Sequence, residues 1–195
     1  MGLNEEWPTA WAWAAQVEAA AVRALRDVVS TYPFEAGDHS VGPPSSAAEL
    51  AALHERMPWV PDELFALYRF VGPLSLPDIT NGYFLHPPDS VIGNTYHGRA
   101  DRIGEPFAED VAVVVFGSNG GGDLYALATT VGGPVYRLQE AVYEVGIYHG
   151  TERSITVVGE DLRNFLEEFL AAVEAFADDG STPISDLLDT PIDYR

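Results

Sequence analysis

The feature that most constrains the fold is the unbroken apolar run Val111-Ala112-Val113-Val114-Val115-Phe116, which stops abruptly at Gly117-Ser118-Asn119-Gly120-Gly121-Gly122-Asp123. The run has strand length and is rich in β-branched residues, but it lacks the alternation of a strand with one wet face. It therefore predicts a strand covered on both faces, which needs a layer of structure on each side of a sheet. Further strands are predicted at Asp123–Ala128, Pro134–Leu138 and Ile155–Val158, separated by glycine-containing turns such as Val131-Gly132-Gly133.

Helices flank this region. The strongest is at the C-terminal side, where Leu162, Phe165, Leu166, Phe169, Leu170, Val173 and Phe176 keep three-and-four spacing; Asp178, Asp179 and Gly180 are expected to stop it near Ala177, because negative charge is unfavourable at a helix C-terminus. A long alanine-rich helix is predicted from about Trp7 to Thr31, with Trp11, Ala14, Val17, Ala21, Leu25 and Val28 on its apolar stripe. Residues 36–46 form a Gly/Pro/Ser linker, after which Ser46 and Glu49 have capping-box spacing for a helix ending before Pro58. Pro61 starts another helix, with Asp62 and Glu63 in its first turn and Gly72 after its end. Asn81-Gly82, between SLPDIT and YFLH, is a dipeptide that closes tight hairpins because both positions tolerate positive φ. The expected fold class is thus α+β, a mainly antiparallel sheet with N-terminal helices and a C-terminal helix packed on it. The expected organisation is an N-terminal helix and linker over 1–45, an α+β domain over 46–179 and an acidic tail over 180–195.

Charge bears on partners. The 195 residues carry 30 acids against 10 bases, every one of them arginine, for a net −20. The excess is distributed, −8 over residues 1–97 and −12 over the rest. Such a field disfavours nucleic acid and anionic membranes as partners and favours encounter with a basic protein; solubility alone would also account for it. Without cysteine there are no disulfides, thiolate nucleophiles or cysteine metal sites. The N-terminus lacks the basic start of a secretory signal, so a cytoplasmic protein is the expectation.

No motif commits the chain to catalysis. GSNGGGD could wrap an anion, but it lacks the Lys-Ser/Thr of a P-loop and is followed by a strand-like LYALA, so Gly120, Gly121 and Gly122 read first as a turn with Asp123 stabilising it. His39, His54, His86, His97 and His149 include no HxxxH pair, and no metal or other cofactor is expected. His97 lies near Asp101, so a His–Asp acid/base pair stays open beside the simpler reading of exposed turn histidines. Trp59, Phe65, Phe70 and Phe116 read as core before they read as a pocket. The best candidate for partner contact is the stretch holding Asp101, Glu105, Glu109 and Asp110, where Gly104 and Pro106 favour an exposed loop.

Several strings, in order, resemble the SUKH superfamily, which includes bacterial immunity proteins and a fungal regulator of cell-wall synthesis. Val60-Pro61 with LFALYRFVG resembles its proline-started helix, SLPDITNGYFLHP its Asn-Gly segment, and FGSNGGGDLYAL its Gly-Gly-Asp-aromatic hairpin. GPVYRL and EDLRNFLEEFL resemble its later strand and closing helix. The likeness spans roughly residues 46–178; the long N-terminal helix and the acidic tail depart from it. It implies a fold of helices on an antiparallel sheet, no catalytic residues, and function by binding a protein, in bacteria often a toxin domain and frequently a nuclease. A regulator or scaffold of the same fold is the alternative, and a small-molecule or enzymatic role is the third.

Overall fold

A computed structural model gives the fold and describes residues 8–96, 100–104, 107, 109–139, 142–144, 146–151 and 154–180. The expected acidic tail, from residue 181 onward, lies outside them. Along the chain come α1 (Pro8–Asp27), a 3-10 turn (Val29–Thr31), β1 (Ser40–Val41), α2 (Ala47–Arg56), α3 (Asp62–Phe70), β2 (Leu74–Leu76) and β3 (Tyr83–Leu85). Then follow α4 (Pro88–Tyr96), β4 (Arg102–Ile103), β5 (Val111–Asn119), β6 (Leu124–Ala128), β7 (Val135–Leu138), β8 (Val142–Glu144), β9 (Ile147–His149), β10 (Ile155–Gly159) and α5 (Leu162–Asp179). The class is α+β.

The apolar run becomes β5, the hub of the sheet. One side of β5 carries β6, β7 and β10 in succession, all antiparallel. Its other side is divided. Gly117–Asn119 pair with β3, which continues to β2 and β1, whereas Val111 and Ala112 pair with β4, which continues through a parallel pairing to β9 and then β8. Both faces are covered. Val114, Phe116, Tyr125 and Leu127 belong to the core under the helices, while Val113, Val115, Leu124 and Ala126 join Ile103, Tyr148 and Ala100 in a second cluster on the opposite face. Alternate residues of β5 thus enter two different cores, which is why the sequence shows no alternation.

The first helix packs against the last. Trp13 donates its indole N–H to the carbonyl of Leu166 at 2.6 Å, and its ring centroid lies 5.8 Å from that of Phe169. The buried line of α1 is Trp13, Val17, Ala20, Ala21 and Ala24. It lies to one side of the expected stripe, because alanines at 20, 21 and 24 let the backbone approach α5 closely, while Ala14, Leu25 and Val28 flank the contact. α5 runs past Ala177 to Asp179. Gly180 caps it in the left-handed region at φ 69°, and Arg23 lies 3.7 Å from Asp178, relieving the carboxylate at the dipole's negative end. Ser46 and Glu49 form a reciprocal capping box.

The Gly/Pro/Ser linker is docked. Asp78 Oδ2 accepts from the Gly37 N–H at 2.7 Å and lies 2.9 Å from His39 Nε2, and β1 then pairs with β2. Burial pushes the Asp78 carboxyl up, but the hydrogen bonds from His39 and Gly37, with the charge of His39, outweigh it and leave it below its ordinary range. A depressed carboxyl contributes stability that is complete above its unfolded value, about 4, and is lost as pH falls through the folded value. Asp78→Asn should therefore be less stable than the parent at neutral pH, with the gap closing on acidification. Denaturant midpoints at neutral pH and at about pH 3 test this; equal midpoints at neutral pH would show that the clamp contributes nothing.

The two glycine signals meet in space. Asn81-Gly82 does not close a two-residue hairpin, since Leu76 pairs with Tyr83 and the whole segment 77–82 makes the connection. Within it Thr80 (φ 53°) and Gly82 (φ 79°) take positive φ, while Asn81 does not. Asn81 instead abuts the triglycine turn, where Gly120 N–H donates to the Gly82 carbonyl at 3.2 Å. Among Gly120, Gly121 and Gly122, only Gly122 needs positive φ, at 93°. Asn119 organises that turn: its Oδ1 accepts from the N–H groups of Gly121 and Asp123, and its Nδ2 donates to Asp123 at 3.0 Å.

Candidate functional site

The N-terminal end of β5, the C-terminal end of β6 and the starts of β7, α3 and α5 all lie at one end of the sheet. Hydrogen bonds tie them together: Thr129 N–H donates to the Ala112 carbonyl at 2.9 Å, and Gly132 N–H donates to the Glu63 side-chain Oε1 at 3.1 Å. Among the described residues two recesses open at this end. One, of about 450 Å³, is lined by Trp59, Asp101, Arg102, Asp110 and Ala112. The other, of about 320 Å³, lies among Glu63, Leu127, Gly132, Gly133, Asp161, Leu162 and Arg163.

Trp59 is the aromatic member, and it is 48% exposed. Its neighbours explain this. Met57 and Val60 are both buried and are joined by a turn in which Val60 N–H donates to the Met57 carbonyl at 3.1 Å; with both flanking side chains turned inward, the indole between them faces out. The expectation that Trp59 and Phe70 are core is corrected here: Phe70, at the end of α3, is also exposed, whereas Phe116 is fully buried and Phe65 partly so. Val131, at the tip of the β6–β7 turn, is 93% exposed and adds a second apolar point to the same end.

Acidic groups surround these points. Asp101 is fixed by its backbone: its N–H donates to Gly146 and its carbonyl accepts from Val113. Its carboxylate accepts from Arg102 Nε at 2.9 Å and, by hydrogen bond and charge, raises the guanidinium above its ordinary range. Asp110, 54% exposed, reaches Arg102 only at 4.0 Å, and Glu109 beside it is exposed. Asp101 and Asp110 thus share one groove, with Glu109 adjacent, while Glu105 lies outside the described residues. Asp161 caps α5 from the second recess, its side chain accepting from the Asn164 N–H at 2.7 Å. The helix N-terminus there is already occupied.

His97 also lies outside the described residues, and His149 is exposed at the end of β9. Among the described residues no group of three or more His, Asp or Glu is placed to hold a metal ion, and no helix is long and apolar enough to cross a membrane. One side-chain chain escaped the sequence reading. His86 Nε2 lies 2.9 Å from Ser118 Oγ, and its Nδ1 lies 3.1 Å from Asn94 Nδ2. The imidazole thus bridges Asn94 and Ser118, with each ring nitrogen within hydrogen-bond distance of one of them. Ser118 pairs with Phe84 on one side and Leu124 on the other, so this chain pins α4 to the sheet.

No family model, curated protein or solved structure matches the chain.

Proposed function

We propose that this protein is a non-catalytic binding domain that captures a basic protein partner through the acidic end of its sheet. Like the bacterial immunity proteins of the SUKH superfamily that its sequence resembles, it would act in the cytoplasm by covering a toxin domain. The observation that carries this reading is the pairing of outward-facing Trp59 and Val131 with Asp101, Glu109 and Asp110 at one end of a chain of net charge −20. Aromatic residues supply much of the energy of protein interfaces, and a rim of like charge steers a partner of the opposite sign. A nuclease fits best, because a surface that must attract phosphate is basic.

Affinity capture of the tagged full chain from its own cells, followed by binding kinetics with the purified partner, tests the reading. The expected partner is a basic protein whose association slows as salt rises, since exposed charges are screened beyond about 8 Å at physiological ionic strength. A partner that is acidic, or one whose association ignores salt, would overturn it.

A further inference from the structure

We infer that the Trp59 groove is an arginine-binding notch, in which a partner's guanidinium lies over the indole and donates to Asp110. The inference rests on the proposed function for the partner's identity, but the notch can be tested without that partner.

The groove is small. Its volume of about 450 Å³ lies low in the range of about 300–1,000 Å³ typical of small-ligand pockets, which suits one long side chain better than a folded element. Among the described residues its lining specifies the charge, because two carboxylates, Asp101 and Asp110, face one guanidinium, Arg102. Arg102 commits its Nε to Asp101 at 2.9 Å but stands 4.0 Å from Asp110, beyond hydrogen-bond reach. Asp110 keeps acceptor capacity towards the groove, and Glu109 adds charge at its edge. An apolar occupant would strip water from these carboxylates and return nothing, and an anion would be repelled. The exposed indole then selects among cations. A planar guanidinium can stack on a ring face and donate in its own plane at once, whereas an ammonium is a hydrated point charge.

The test uses the full chain, ¹⁵N-labelled, titrated with acetyl-Gly-Arg-Gly-amide and with its citrulline and lysine counterparts. The Trp59 indole N–H is assigned by its loss in Trp59→Phe. Trp13 serves as the internal reference, since its indole N–H is buried and bonded to Leu166. Saturable movement of the Trp59 resonance is expected with the arginine peptide, weaker with lysine and none with citrulline, while Trp13 stays still. Asp110→Asn, at an exposed position, should weaken the arginine titration roughly tenfold, the scale of a charge-assisted hydrogen bond. An unmoved Trp59 resonance, equal responses to arginine and citrulline, or an unchanged titration in Asp110→Asn would overturn the notch. Overturning it while the captured partner still binds in a salt-dependent way leaves the acidic-surface proposal standing. A notch that binds arginine in a protein with no basic partner does the reverse.

Discussion

Replacing Phe165 with alanine should cost about 3–5 kcal/mol of stability, the range for emptying a fully buried aromatic site. Phe165 seats α5 on the sheet. Its ring lies 5.6 Å from Phe116 and 5.3 Å from Tyr125 below, and 6.1 Å from Phe169 along the helix, which in turn meets Trp13 and Tyr83. Truncation would open a hole ringed by rigid aromatics with little freedom to close it, and would forfeit the edge-to-face contact with Phe116, worth about 0.5–1.5 kcal/mol beyond area burial. A loss of that size is a large part of the roughly 5–15 kcal/mol that holds a domain together. Denaturant unfolding measures it directly, with Phe165→Leu as the milder companion. A shift below about 1 kcal/mol for the alanine variant would show that α5 is peripheral to the core.

Gly120→Val should be the most damaging change in the triglycine turn, for a reason separate from φ. A Cβ at Gly120 would stand 2.1 Å from the Asn81 carbonyl oxygen, a backbone atom held by the β2–β3 connection. At Gly121 the collision, at 2.4 Å, is with the Asn81 side-chain nitrogen, which can rotate away, and at Gly122 there is open space but a φ of 93°. The expected order of damage is Gly120, then Gly121, with Gly122 set by backbone strain of about 1–3 kcal/mol. Overpacking against immovable backbone reaches about 3 kcal/mol, so Gly120→Val should lower the melting temperature by many degrees. Alanine at 120 and at 121 lowering it equally would contradict the interlock of the two turns.

Those turns illustrate what the sequence makes legible. Glycine clusters mark where the chain must turn or approach itself closely, but not which of the two applies; that depends on Asn81 and Gly120, far apart in the chain. Long signals were readable: α5 carries a periodicity that fixes both type and facing, the unbroken apolar run of β5 fixes a strand covered on both faces without saying which residue enters which core, and the α2 capping box is a local signal. The short strands β4, β8 and β9 were not, because each is defined by its partners and not by its own two or three residues. Helix α4 was missed because Ser90, Gly93, Asn94 and Thr95 are weak helix formers, held by packing and by the Asn94–His86–Ser118 chain. At the candidate site Asp101 and Asp110 were visible as acids before a buried strand. Trp59 was not, because an aromatic between buried Met57 and Val60 has the same one-letter surroundings whether it faces in or out.

If the acidic end of the sheet captures a basic partner, the association rate of that partner depends on the charges placed at that end. The rate should be measured at low and at physiological salt for the parent, for the double reversal Glu109→Arg/Asp110→Arg, and for a control reversal of equal charge, Glu18→Arg/Glu167→Arg, on exposed positions of the helical layer. Steering depends on where the charge sits as well as on its total. The end-face reversal should slow association markedly more than the control, with the difference shrinking as salt rises and dissociation changing less. Equal slowing by both variants, or none by the end-face pair, would mean that this end of the sheet does not meet the partner.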